Sequence, residues 1–289
     1  MTEALWSRLW FRPGTARNLG ITRAVVCAGL LAIYATGKFA AYGSVATVFH
    51  DPRWLPVAPE PLLRAAHVLW LATLALGALG LFTRPALTLS FLLGGYLLAL
   101  DASFGRIHHN DLAPVIALGV LALSRAGDAF SLDALRRHLP EPPPDAEYSW
   151  PLRAIQLTLT LAFLAAGISK LRHAGLDWVT ADTLRLRLVQ NDRTLVPSRT
   201  LPIHLARYPL ACNVLAAGTV GIELLYPLAL VSRTGRALLV PASLLMLLGF
   251  AALFGPRFTT FGVLSAAWVP WGRVLRRLTR RGAAPGPGP

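Results

Sequence analysis

The chain returns repeatedly to apolar runs of membrane-spanning length, and this recurrence leaves few architectures open to it. About 20 apolar residues in a helix cover the ~30 Å hydrocarbon core of a bilayer. Within that core each backbone N–H and C=O needs a partner, and a helix supplies its own. Such runs lie at about Gly20–Ala41, Leu62–Phe82, Ala86–Phe104, Pro151–Leu171, Ala211–Val231 and Ala237–Phe254. Two shorter ones lie at about Asp111–Leu123 and Phe258–Trp271. The expectation is an all-α polytopic transmembrane helical bundle of about eight spans. A hydrophobic content of 54%, a charged content of 15% and a mean hydropathy of +0.52 are too apolar for an ordinary soluble domain.

The formal net charge is +14, and Lys38 and Lys170 are the only lysines. The arginines lie in loops between apolar runs, where topology and anionic lipid account for them. No nucleic-acid motif accompanies them, so membrane lipid is the expected partner and nucleic acid is not. Cys27 and Cys212 fall inside apolar runs, which reads as small apolar filling and argues against thiol-redox chemistry.

Residues 1–18 interleave Arg8, Arg12 and Arg17 with Trp6, Trp10 and Phe11, the pattern of an interfacial amphipathic segment. Residues 19–272 form the transmembrane domain, and 273–289 a basic, then Gly/Pro-rich, tail. The run WGRVLRRLTRR marks the inside, so with eight spans both termini are cytoplasmic. FSLDALRRH reads as a short amphipathic helix capped by Ser131, and Pro151 suits the first turn of the helix that follows. DTLRLRL alternates like a strand but equally suits an interfacial helix.

In this orientation the histidines other than His138 gather at the outer face, along with both lysines. Lys170 closes a long apolar run. Its stem either snorkels along lipid to the headgroups or enters a protein cavity, where desolvation yields a neutral amine able to act as a base. The small residues of AAGIS before it favour close helix packing. His108 and His109 in RIHHND are loop residues, catalytic or orienting groups, or ligands of haem or metal. Adjacent histidines do not have helical ligand spacing, and no metal site is expected. Asp101 and Glu223 are acids at membrane depth that need partners, structural or functional. Lys38 snorkels or lines the same cavity. The arginines of the connection 177–210, Arg187 among them, face headgroups or bind an acidic group.

At these residues the chain resembles the membrane portion of the vitamin K-dependent gamma-carboxylase family, whose bacterial relatives carry the HTTM (horizontally transferred transmembrane) domain. The matching stretches occur in order: LGALGLFTR, LLALDASFGRIHHNDL, SRAGDAFSLD, AAGISKLRHAGLDWV and GIELLYPLALVSRTGR. The resemblance places the family's catalytic lysine on Lys170 and its loop histidine on His109. His173, Asp177 and Trp178 continue the lysine motif, with Trp178 against a quinone ring. It implies a reduced naphthoquinone of the menaquinone or vitamin K type as cofactor, deprotonated by the lysine and oxygenated to an epoxide. The base so formed removes a proton from a peptide or protein glutamate, which takes up CO2. It also implies a bacterial inner-membrane location. LRHAGLDW sets the KL and DW elements further apart than the eukaryotic form does, and LLGFAALFGPRF is apolar where polar residues are expected. Two other readings therefore stay open: a non-enzymatic DoxX-like accessory or immunity protein, and a haem or metal protein built on the outer histidines.

Overall fold

A computed structural model describes residues 10–45, 55–105, 111–138, 140–190, 200–255 and 258–275. Among them regular structure is helical, and β pairing is limited to an isolated bridge between Gly14 and Asp145. The chain is a multi-pass membrane protein. Among the described residues five helices are long and apolar enough to cross a bilayer: Ala16–Tyr34, Glu60–Leu79, Thr83–Ser103, Ala146–Ala174 and Arg233–Phe254. Leu112–Leu123 and Pro209–Leu225 are apolar but shorter.

The contacts divide the chain into two units. The first holds the described residues up to Ile155 and those from Ala266 onward. It contains α1 (Ala16–Tyr34), α2 (Glu60–Leu79), α3 (Thr83–Ser103), α4 (Leu112–Leu123), α5 (Leu132–Arg136) and the start of α6 (Trp150–Ala174). Leu19, Val26, Leu30, Leu63, Trp70 and Leu118 make its dry centre. The second unit, Gln156–Ser265, holds the rest of α6. It continues with α7 (Asp177–Thr180), α8 (Thr183–Gln190), α9 (Thr200–Leu205), α10 (Pro209–Leu225), α11 (Leu228–Val231), α12 (Arg233–Phe254) and α13 (Thr259–Leu264).

Local chemistry sets the helix ends. Thr15, Ser131 and Ser232 each accept a backbone N–H three residues on, capping α1, α5 and α12. Gly80 ends α2 at φ 68°, a left-handed conformation that costs glycine nothing. Pro151 and Pro209 sit in first turns, where a missing N–H breaks no bond.

Several expected spans change. The first stops at Tyr34, not Ala41, because Gly37 and the charged Lys38 follow; a 3₁₀ turn then runs over Phe39–Ser44. The sixth breaks at Pro227, which has no N–H to donate, into α10 and α11. The eighth is no membrane-length helix: α13 has 6 residues and passes into a 3₁₀ turn, Ser265–Trp268. The alternating DTLRLRL segment is helix α8.

α12 buries Val240, Ser243 and Leu247 yet leaves Leu238, Leu245 and Leu248 about two-thirds exposed. In water that surface would be a liability; against acyl chains it is the expected outer face.

At one end of the first unit lies a polar staple. Arg23, fully buried on α1, donates to the carbonyls of Ala126 (2.9 Å), Phe130 (2.6 Å) and Ala78 (3.4 Å). Beside it the Asp133 carboxylate accepts the N–H groups of Phe82 (3.0 Å) and Thr83 (2.8 Å) and the Thr83 hydroxyl (2.7 Å), capping α3 from a distance. Burial alone would raise the Asp133 carboxyl, but the Thr83 and Phe82 hydrogen bonds, with Arg137 nearby, outweigh it and hold it below the usual carboxylate range.

Arg23→Met should lower the melting temperature in detergent, each bared carbonyl costing about 1–3 kcal/mol. Arg23→Lys should recover only part of the loss, since an ammonium lacks the planar fork. Because the folded Asp133 is the stronger acid, its contribution is complete above the unfolded carboxylate pKa of about 3.9 and is lost as pH falls through the lower folded value. Asp133→Asn should therefore flatten the acid limb of the stability–pH curve; an unchanged limb would contradict the assignment.

Candidate functional site

Lys170 stands on the last stretch of α6, and its ammonium is held inside the protein. Nζ lies 2.6 and 2.7 Å from the two carboxylate oxygens of Glu223 on α10. The side chains are 18% and 3% exposed, so this is a mostly desolvated pair and not a lysine reaching for headgroups. Sequence explains the close approach. Gly167 is one turn before Lys170 on the same face, and a β-carbon there would fall 2.9 Å from Leu224 Cδ2 and 3.1 Å from Glu223 Cβ. A bare Cα at Gly167 lets α6 settle against α10 at the depth of the acid.

The Lys170 ammonium also lies 5.4 Å from the centre of the Trp178 ring, within cation–π range. Both residues open onto a cavity of about 500 Å³, inside the range of small-molecule sites (about 300–1,000 Å³). Phe250, Phe254 and Phe258 form an aromatic wall, and Thr183, Leu184, Arg187 and Gln190 present one face of α8. Behind the wall, ring contacts run from Phe258 through Phe261 and Phe163 to Tyr226. Chemically the site offers a hydrogen-bonded ammonium–carboxylate pair at the edge of an apolar, ring-lined chamber.

The other sequence candidates separate. His173 is exposed and its Nδ1 lies 2.8 Å from the Ser169 carbonyl oxygen of its own helix. Asp177 is exposed at the start of α7, where its carbonyl accepts the Thr183 hydroxyl. Asp101 belongs to the first unit, where Tyr42 donates a hydrogen bond to it; Tyr42 stacks on Phe104 at 4.8 Å. Lys38 is exposed just before the first 3₁₀ turn of that unit. His108 and His109 lie outside the described residues. Among the described residues, no three His, Cys, Asp or Glu side chains converge as metal ligands would.

The aromatic wall was missed in the sequence, where LLGFAALFGPRF reads only as apolar. Its signal is the i,i+4 spacing of Phe250 and Phe254, which puts both rings on one face of α12. The cavity face of α8 was likewise hidden while that segment stood between strand and helix.

Known proteins were compared with the chain. The sequence model of the HTTM domain matches residues 11–267. No curated protein and no solved structure matches it.

A double-mutant cycle on Lys170→Met and Glu223→Gln, read by unfolding in micelles, should give a coupling of roughly 1–3 kcal/mol. Additive losses would mean that the two groups do not share a proton or a charge.

Proposed function

The chain belongs to the HTTM-domain family, and from that premise we propose that it couples oxygenation of a reduced naphthoquinone to proton abstraction from, or carboxylation of, a separate carbon acid, with Lys170 as the proton-accepting group. The observation that carries this reading is the Lys170–Glu223 pair at the rim of the aromatic cavity. A lysine kept only to end a helix would sit in lipid headgroups.

The cavity suits the cofactor. Trp178 and the three phenylalanines offer flat apolar faces to a bicyclic ring, and Lys170 supplies a polar group at the edge. When bound, a reduced naphthoquinone supplies the electrons for oxygen chemistry and thereby a base strong enough for a carbon acid. The residues handle the proton. Moving one proton from Lys170 Nζ to Glu223 along a 2.6 Å hydrogen bond gives a neutral amine beside a neutral acid. Net charge is unchanged, and no ion is stranded in a low dielectric. Nζ is then an acceptor for an acidic hydroxyl proton brought into the cavity. Trp178 packs against the resulting ammonium. In this reading Lys170 faces the outer leaflet of a bacterial inner membrane, both termini are cytoplasmic, His109 assists the proton step, and a peptide or protein supplies the carbon acid.

A second reading draws on the same pair: an ammonium locked between two carboxylate oxygens is also a sound helix clamp, as a non-enzymatic accessory protein would use. The two part company on turnover. Purified protein incubated with reduced menaquinone and oxygen should form the epoxide, detected by mass spectrometry. Lys170→Ala should lower the rate by at least about 100-fold, the usual size of a lost general base. Equal rates, or no epoxide from either protein, would leave the clamp as the role of Lys170.

A further inference from the structure

Charge within the cavity of the second unit lets it take a ligand besides a neutral ring. Lys170 and Glu223 cancel. Arg187 lines the same cavity from α8, and no described residue forms an ion pair or hydrogen bond with its guanidinium. Its neighbour shows the contrast. Arg185, two residues earlier, donates to the Ala206 carbonyl (3.0 Å) and pairs with Asp182 (3.3 Å). One arginine of the helix thus ties α8 down, while the other brings a positive charge, unpaired among the described residues, to a chamber walled by Trp178, Phe250, Phe254 and Phe258. Gln190, three residues beyond Arg187, adds an amide on the same face.

We propose that this cavity takes a flat aromatic acid, with the ring among the four aromatic side chains and the anionic group on Arg187. The inference rests on the reading of the cavity as a ring-binding site and adds an anionic ligand that competes with the naphthoquinone for it. A carboxylate is the natural complement, because two parallel N–H donors of a guanidinium match its two oxygens. Arg187 is then a specificity-determining residue: it selects among rings by their charge and takes no part in proton transfer at Lys170.

The test uses two probes of one shape, 1-hydroxy-2-naphthoate and its neutral amide, titrated calorimetrically into the purified full-length protein. The acid should bind about tenfold tighter than the amide, as a charge-assisted pair near solvent would give. Arg187→Gln should bring the two affinities together. Arg187→Lys, which keeps the charge and reports on folding, should retain most of the preference, and Arg172→Gln, outside the cavity, should leave it whole. Equal binding of acid and amide by the unmodified protein, or a preference that survives Arg187→Gln, would overturn the proposal while sparing the ring site. Binding of neither probe would remove the ring-binding reading as well.

Discussion

The first unit depends on how a guanidinium is kept inside it. Among the described residues no carboxylate lies within hydrogen-bonding distance of Arg23; its donors go to backbone carbonyls left open where α2 ends and where the chain turns between α4 and α5. Those carbonyls need a donor because chain ends buried in a membrane protein have no water to turn to. The arrangement also shapes the backbone around it. Phe130 adopts φ 50°, and its carbonyl is one of those that Arg23 holds. Phe82 adopts φ 48° while its N–H meets Asp133. Two strained phenylalanines, a left-handed Gly80 and a cap supplied from another helix belong to one polar knot that joins α1, α2, α3 and α5.

The second unit buries a cation too, with a different kind of partner. Carbonyl oxygens cannot take a proton from a guanidinium under any ordinary condition, so Arg23 stays charged and fixed. Glu223 is a partner that can receive what Lys170 gives up. The lysine also borders a cavity, whereas the arginine is fully buried. The difference lies in the partners and in access rather than in depth.

The membrane class, the longer helices and their caps were legible because hydrophobic run length and residues such as Ser131 and Pro151 act locally. The identity of Lys170 and Glu223 as notable groups was legible for the same reason: a charge inside an apolar run stands out. Their pairing was not, since 53 residues separate them and only packing at Gly167 brings them together. The role of Arg23 was not legible, because nothing in its neighbourhood tells that its acceptors come from Ala78, Ala126 and Phe130. The eighth span failed on length. Run length counts apolar residues, whereas a helix also requires that the chain keep turning one way, and Phe258–Trp271 turns differently after Leu264.

Helix α4 carries a consequence for the lipid around it. Its 12 residues rise about 18 Å, and Leu112, Ile116 and Leu123 form its exposed apolar stripe. A bilayer of ~30 Å hydrocarbon thickness meets that stripe with a hydrophobic mismatch of roughly 12 Å. Acyl chains beside α4 shorten or splay, and each ångström costs a fraction of a kcal/mol. The mismatch is local to this helix, because α3, which packs against α4, has 21 residues and matches the full thickness.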